Sequence, residues 1–206
     1  ISLGRLTQVW RWMSATRLSK RWEKSDWQRR IAEWLWGITL TDKLVNGAAQ
    51  IGYALNTSEQ NRLIEFIQLI AKWNKTHNLT AITDAGEMIT KHLLDSLTVS
   101  PYLKGSDILD VGTGAGFPGI PLAIINPHKN FTLLDSSQKR IAFIKEAKRK
   151  LALTNVSAVH SRVEHFSGTR FTSISSRAFS SLDKMLSQTD HLIDCLLYTS
   201  PSPRDA

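Results

Sequence analysis

The sequence reads DVGTGAGFPG over residues 110–119, at the end of a short apolar run that begins at Asp107. Four glycines in ten residues suit a tight turn at which a ligand approaches the backbone closely. The apolar residues that follow predict a helix, and the first N–H groups of a helix have no partner within it and can bind a ligand. We therefore predict a strand at Asp107–Val111, a glycine loop and a helix at Phe117–Ile125, arranged around a ligand site.

The residues after this unit repeat the alternation of strand and helix. Short apolar runs predict strands and amphipathic runs predict helices. Strands are predicted at Phe131–Leu134, Val156–Val159 and Phe171–Ser175, with a helix at Ser137–Leu153. Strands that alternate with helices of this length predict an α/β fold with a parallel, right-handed, doubly wound sheet over residues 104–194.

Residues 40–103 predict an N-terminal helical cap. Thr57, followed three residues later by Gln60, has the pattern of a capping box at the start of a long amphipathic helix. Asp84 is the predicted N-cap of a further helix, which Pro101 ends. The predicted apolar positions are Leu44, Ala48 and Ile51 in a short first helix capped by Thr41 or Asp42, Leu63, Ile67, Ile70 and Ala71 in the second, and Ile89, Leu93 and Leu97 in the third.

The two ends of the chain differ in composition from its middle. Residues 1–39 hold six of the seven tryptophans and 8 Lys and Arg against 3 Asp and Glu, whereas residues 40–194 hold 17 against 14. Residues 1–39 are interpreted as a non-native leader, with a basic, aromatic arm that binds RNA as the alternative. Residues 195–206, which contain two prolines and two serines near the end, are interpreted as a non-native tail.

Composition limits the class of protein. Cys195 is the only cysteine among 206 residues, which excludes an intrachain disulfide and a cysteine-ligated zinc cluster. No stretch approaches the roughly 18 apolar residues that a membrane helix needs. These features favour a cytoplasmic protein with no membrane association.

Two classes of ligand fit the glycine loop. Gly114, Gly116 and Gly119 satisfy the GxGxxG pattern of dinucleotide sites, which would indicate an NAD(P)-dependent oxidoreductase, but a lone match is weak. Asp110 is predicted at the mouth of the loop, where a carboxylate repels a pyrophosphate and suits the cationic sulfonium of S-adenosylmethionine. Asp135, at the end of the next predicted strand, is placed to accept both hydroxyls of a ribose. The loop therefore favours S-adenosylmethionine as the ligand.

The loop and five further segments resemble the bacterial 16S rRNA guanine-N7 methyltransferases, the RsmG or GidB family. The matching segments are DVGTGAGFPGIPLAI (110–124), LLDS (133–136), SRVE (161–164), SRAF (176–179), KWNKTHNLTAIT (72–83) and KHLLDSL (91–97). The resemblance implies a class I methyltransferase fold, which is Rossmann-like. The fold is expected to be incomplete here, because the family's strands beyond residue 194 are absent. The resemblance further implies a cytoplasmic enzyme that methylates one guanine in the decoding-region loop of small-subunit rRNA.

The resemblance also assigns residues to the donor site. Gly112 and Phe117 line it, Val163 and Glu164 flank the adenine, and Arg177 follows the fourth strand. Gly114, Asp110 and Asp135 join them from the loop and ribose arguments. We expect 16S rRNA, free or in the small ribosomal subunit, as the partner, a monomer as the oligomeric state and no metal. A non-catalytic ribosome-binding module is the alternative outside the enzyme classes.

Methylation at guanine N7 removes no proton, so we predict no acid–base residue. Catalysis is expected to depend on positioning, with Arg177 and Phe179 as candidates. Phe117 and Phe179 are candidate stacking platforms for the base, with core packing as the alternative for each. His92 and Asp95 are predicted to form a hydrogen-bonded pair that braces the cap against the sheet. Trp73 is predicted in the core, and the basic helix at Ser137–Leu153 is either a solvated face or a track for rRNA phosphates.

Overall fold

The computed structural model describes residues 39–168, 170–177 and 181–193, apart from the side chain of Leu182. The expectations for residues 1–38, for residues 195–206 and for Phe179 lie outside these ranges.

The first half of the described chain is helical, as predicted. Helix α1 covers residues 39–50, α2 is Thr57–His77, and α3 covers residues 85–98. Three stretches make up α3: α-helix at Ala85–Met88, π-helix at Ile89–Leu94 and α-helix at Asp95–Thr98. A 3₁₀ turn at Ser100–Tyr102 follows.

The N-caps in this half match the prediction at one of three helices. Asp84 caps α3 by accepting a hydrogen bond from the Glu87 backbone N–H. The capping box of α2 is one residue earlier than predicted, because the Asn56 side chain accepts from the backbone N–H of Glu59 and the Glu59 carboxylate accepts from that of Asn56. Thr41 and Asp42 lie inside α1 and do not cap it.

The second half forms a parallel four-stranded sheet, which confirms the predicted class. The strands are β1 (Asp107–Val111), β2 (Asn130–Asp135), β3 (Val156–His160) and β4 (Ser173–Ser176), in the order β3-β2-β1-β4. The helices that connect or follow them are α4 (Gly119–Ile125), α5 (Gln138–Lys150) and α6 (Leu182–Thr189). Two further 3₁₀ turns lie at Val163–His165 and Asp190–Leu192.

Several element boundaries differ from the prediction, and α5 ends at Lys150, three residues before the predicted Leu153. Helix α4 begins at Gly119 and not at Phe117, because Phe117 and Pro118 belong to the turn that closes the glycine loop. Strand β4 begins at Ser173, while Phe171 forms an isolated parallel bridge with Ile193.

Alternation along the strands assigns side chains to two cores, one on each face of the sheet. Ile108 and Leu133 belong to the larger core, which they share with residues of α1 to α5. Leu109 and Leu134 point to the opposite face and form a smaller core with Met185 of α6. Both faces are therefore covered, as in a doubly wound sheet, and the carboxyl ends of the strands meet at one edge.

Candidate site at the carboxyl edge of the sheet

The glycine loop leaves β1 in a left-handed backbone conformation, with φ of 68° at Gly112, 59° at Gly114 and 90° at Gly116. The backbone N–H groups of Gly112 and Thr113 both donate to the carbonyl of Leu134, at 2.8 and 3.1 Å, which ties the loop to the end of β2. Glycine tolerates these angles at little cost, so the sequence can make this turn.

Gly114 and Gly116 have different surroundings. A Cβ at Gly116 would lie 2.8 Å from a side-chain carbon of Ile120 and 3.0 Å from one of Ile144, so close packing excludes a side chain there. A Cβ at Gly114 would have only the Gly112 carbonyl oxygen within 4 Å among the described residues, at 3.8 Å. Gly114 therefore borders open space, and a ligand can approach the backbone at this point.

Asp110 does not lie at the mouth of the loop. Its side chain is 1% exposed, and its Oδ2 accepts from the Gly119 backbone N–H at 3.1 Å while its Oδ1 accepts from the Ser175 hydroxyl at 3.2 Å. Burial raises the pKa of Asp110 to about 6. The prediction that this carboxylate faces a cationic ligand is corrected: Asp110 joins β1, β4 and the first turn of α4 from inside.

Asp135 ends β2, as predicted, but its carboxylate is already bonded within the chain. Oδ2 accepts from the Gly114 backbone N–H at 2.9 Å, and Oδ1 accepts from that of Ser137 at 2.8 Å. Arg140 Nη1 lies 3.4 Å from Oδ2, and the Asp135 side chain is only 2% exposed. Asp135 thus holds the glycine loop against the start of α5, and its binding of a ribose stays a prediction.

Arg177 follows β4 beside the glycine loop. The parallel register pairs Val111 with Ser176, so the next residues on the two strands, Gly112 and Arg177, emerge side by side. Arg177 Nη1 lies 3.3 Å from Asp95 Oδ2, and the arginine side chain is 10% exposed. The alternative reading of Arg177 as a structural ion pair is thus observed, although its other nitrogens can still serve a ligand.

His92 and Asp95 contact different partners and not each other, which corrects the predicted pair. His92 Nε2 lies 3.0 Å from the Thr80 hydroxyl, and the imidazole stacks on Phe117 with ring centroids 4.6 Å apart. Burial, together with the nearby positive charge of Arg177, lowers the pKa of His92 to about 4, so the ring is neutral near pH 7. Through His92 and Asp95, α3 contacts both the glycine loop and the residue after β4.

Phe117 is a core residue at this edge. It is 6% exposed and also contacts Phe66, with centroids 5.2 Å apart, so it offers no open face for a stacked base. Of the two alternatives, core packing is observed, and the contact of Phe117 with the donor stays a prediction.

Asn74 and Thr80, which were not predicted as site residues, position the hydroxyl that contacts His92. The Asn74 side chain donates to the Thr80 carbonyl and accepts from the Thr80 N–H, both at 3.0 Å. The closed pair of hydrogen bonds fixes the loop after α2 and presents the Thr80 hydroxyl to His92. In the sequence, only the recurrence of Asn and Thr in KWNKTHNLTAIT points to these residues. Their role depends on the contact between Thr80 and His92, which are twelve residues apart.

Val163 and Glu164 lie in the 3₁₀ turn after β3. Val163 is buried in the smaller core, whereas Glu164 is exposed and accepts a hydrogen bond from Gln188 Nε2 at 3.0 Å. The turn follows the carboxyl end of β3, which pairs with β2, so it lies on the same edge as Asp135. That position is compatible with the predicted contact to an adenine.

Three buried side-chain atoms in the described part of the chain lack a hydrogen-bond partner: His92 Nδ1, Thr113 Oγ1 and Arg177 Nη1. An unpaired buried polar atom costs about 1–3 kcal/mol, and most such atoms in proteins are paired. All three residues belong to the glycine loop or contact its neighbours. This edge therefore fits a ligand with several polar groups, as S-adenosylmethionine has.

The basic helix α5 exposes much of its charge. Lys139, Lys145 and Lys150 are exposed, whereas Arg149 forms two hydrogen bonds with the Glu146 carboxylate, at 2.9 and 2.8 Å. Beneath this face, Trp73 of α2 packs edge-on against Phe143 with centroids 5.4 Å apart, so its predicted core role is observed.

Neither a metal-ligand cluster nor a candidate membrane span occurs among the described residues. No group of three or more His, Cys, Asp or Glu side chains there could hold a metal ion. Within the same ranges, no helix combines the length and the apolar character that a membrane crossing requires.

Comparisons with known proteins agree with the geometry. A family model described as GidB, rRNA small subunit methyltransferase G, matches residues 59–196. A protein named ribosomal RNA small subunit methyltransferase G from Haemophilus ducreyi is 51% identical over 147 residues, covering 71% of this chain and 72% of its own length. A protein of the same name from Shewanella amazonensis is 49% identical, covering 74% and 75%. A solved SAM dependent methyltransferase from Aquifex aeolicus is 20% identical with a TM-score of 0.47, covering 58% of this chain and 74% of its own.

Proposed function

The chain belongs to the GidB family, rRNA small subunit methyltransferase G, and on that premise we propose that it transfers a methyl group from S-adenosylmethionine to small-subunit rRNA. The finer assignment is the N7 atom of one guanine in the decoding-region loop of 16S rRNA, which rests on the segment resemblances. The observation that carries the proposal is the glycine loop at the carboxyl edge of β1, with open space at Gly114 and unpaired buried polar atoms beside it.

Bound at this edge, S-adenosylmethionine supplies an electrophilic methyl group on a positively charged sulfur. Gly112 and Gly114 permit close approach to the backbone, and Asp135 is the proposed acceptor for the ribose hydroxyls. Val163 and Glu164 are proposed to flank the adenine, and Arg177 to bind the donor's amino-acid end. Asp110 has no proposed contact with the donor, since its carboxylate points inward between β1, β4 and the first turn of α4.

The chain's contribution to the reaction is positioning. Guanine N7 has a lone pair and no proton to lose, so its methylation needs no general base. Holding two reactants in line can contribute about 7–11 kcal/mol. The neutral state of His92 near pH 7 and the internal bonds of Asp110 agree with a site that is built to orient its ligands. Arg177 is the described positioning candidate, and Phe179 stays a prediction.

Two alternative functions, an NAD(P)-dependent oxidoreductase and a ribosome-binding module, can be distinguished from methyl transfer by experiment. Family membership argues against an NAD(P)-dependent oxidoreductase, and a non-catalytic ribosome-binding module would retain rRNA affinity without methyl transfer. We further propose a cytoplasmic monomer that acts on 16S rRNA, either free or in the small ribosomal subunit.

The test is methyl transfer from labelled S-adenosylmethionine by the full chain to small ribosomal subunits that lack the modification. We expect label in 16S rRNA, recovered as 7-methylguanosine at one position. Affinity for subunits without transfer would favour the binding module. Binding of NADH without binding of S-adenosylhomocysteine would favour the oxidoreductase.

A further inference from the structure

The π-helical stretch of α3 presents two polar residues to the edge of the sheet. Such π-helical turns are rare and frequently occur at functional sites. The stretch ends at Leu94, so Asp95 is the first residue after it, and His92 lies within it. The proposed function gives Asp95 no role. Its side chain contacts Arg177 across the boundary between the helices and the sheet.

The contact between Asp95 and Arg177 is an ion pair without hydrogen-bond alignment. Nη1 of Arg177 and Oδ2 of Asp95 are 3.3 Å apart, and yet Nη1 has no hydrogen-bond partner among the described residues. Asp95 therefore restrains the guanidinium through charge at the buried Nη1 and leaves the other guanidinium N–H groups for a ligand. A guanidinium offers five N–H donors in a planar fork that matches a second carboxylate.

The strand register places Arg177 beside the glycine loop, and the ion pair with Asp95 links its side chain to α3. The pairing of Val111 with Ser176 puts Arg177 beside Gly112, while the arginine side chain is 10% exposed and that of Asp95 is 39% exposed. A largely buried cation with unused donors beside the glycine loop fits an anionic group on the ligand. The amino-acid end of S-adenosylmethionine carries such a group, a carboxylate, and its adenosine end does not.

We propose that Asp95 is a positioning residue, which holds the Arg177 guanidinium at Nη1 so that its other N–H groups, at Nε and Nη2, bind the carboxylate of the methyl donor. The inference rests on the proposed function, because it requires S-adenosylmethionine at this edge. Asp95 contacts neither donor nor rRNA in this arrangement and acts only through Arg177. Loss of Asp95 frees the guanidinium to rotate, so the carboxylate loses an ordered partner while the adenosine contacts remain.

Two ligands that differ at the amino-acid end test this on the full chain. S-adenosylhomocysteine carries the carboxylate, and 5′-methylthioadenosine shares the adenosine and lacks the amino-acid end. Calorimetry should show that Arg177→Ala weakens S-adenosylhomocysteine binding by about 10- to 100-fold, the range of a charge-assisted hydrogen bond, and that Asp95→Ala weakens it by roughly fivefold or more. Binding of 5′-methylthioadenosine should stay within about twofold in both variants, and Asp95→Asn should be intermediate.

Glu87→Gln is the matched control, because Glu87 is an exposed α3 carboxylate in an ion pair with Lys91, at 3.1 Å. It should change neither affinity. An equal loss of both ligands in Asp95→Ala, or unchanged or tighter S-adenosylhomocysteine binding, would overturn the role of Asp95. Retained 5′-methylthioadenosine binding shows that a variant is folded; if Asp95→Ala does not fold, Asp95→Asn decides by the same comparison. Failure of the unmutated chain to bind S-adenosylhomocysteine would instead contradict the proposed function.

Discussion

The Asp110→Asn substitution tests whether Asp110 stabilises the fold from inside or contacts the ligand. The carboxylate is buried, with a backbone N–H from Gly119 on one oxygen and the Ser175 hydroxyl on the other. An asparagine of the same shape can accept from Gly119 with its oxygen and donate to the Ser175 hydroxyl with its amide. The Asp110→Asn variant should therefore fold, keep both contacts and carry no charge into the core.

The magnitude follows from the pKa of Asp110, which burial raises from 3.8 to about 6. Below pH 4 the carboxyl is protonated in both the folded and the unfolded chain, so it contributes no pH dependence. Between pH 4 and 6 the unfolded chain loses its proton while the folded chain keeps it, so the free energy of unfolding falls as pH rises. The difference of about two pKa units corresponds to roughly 3 kcal/mol of stability lost by pH 7. The asparagine variant escapes this loss.

The assay is urea unfolding of both proteins from pH 4 to 7.5. The stability of Asp110→Asn relative to the unmutated chain should rise by about 3 kcal/mol across this range, since other titrating groups cancel in the difference. Asp107→Asn is the control: hydrogen bonds from Ser106 and Asn130 lower the pKa of Asp107 below 3.8, so its carboxylate is ionised in both states over this range and its relative stability should stay nearly constant.

Affinity for S-adenosylhomocysteine should stay within about threefold in Asp110→Asn, because the carboxylate does not face the ligand. A flat difference in stability across the pH range, or a loss of affinity of about tenfold or more, would refute the account of Asp110 as an internal brace.

Three further substitutions probe the edge and its surroundings. Gly114→Ala should abolish most S-adenosylhomocysteine binding, and its backbone strain of about 1–2 kcal/mol should lower Tm by only a few degrees. Gly116→Ala should mainly destabilise the fold, because its Cβ would clash with neighbouring side chains. The reverse pattern in calorimetry and thermal melts would contradict the open space at Gly114. Asp135→Ala should weaken S-adenosylhomocysteine and 5′-methylthioadenosine equally in titrations, because both carry the ribose, and unchanged affinities would argue against the ribose role. Lys145→Ala on the exposed face of α5 should weaken small-subunit binding and reduce its logarithmic salt slope by about 1, unlike Lys184→Ala on α6; equal slopes would leave α5 as a solvated face.

Local patterns in the sequence were sufficient for the architecture. The short apolar runs that form β1 and β2 and the glycine loop between β1 and α4 follow from backbone preferences and burial, which neighbouring residues determine. The parallel arrangement followed because helices separate the first three strands, and the parallel pairing of all four strands confirms it. Element ends were less accurate, as at Asn56, where two adjacent residues could cap and the reciprocal bonds with Glu59 decided between them.

The contacts of the site depend on residues far apart in the chain, and there the sequence was a poorer guide. Asp110 was expected at the mouth of the glycine loop because it lies two residues before Gly112, but Ser175, 65 residues later, supplies a partner that permits burial. The spacing of His92 and Asp95 suggested that they bind each other, whereas Thr80 and Arg177 satisfy them separately. Hydrogen-bond partners across elements cannot be read from spacing alone.

A structure of the full chain bound to S-adenosylhomocysteine measures the central claim most directly. The account predicts the ligand along the carboxyl edge of the sheet, with its backbone contacts at Gly112 and Gly114, its ribose at the end of β2 and its carboxylate at Arg177. Adenosine bound at any other surface, with the glycine loop making no contact to it, would contradict the account.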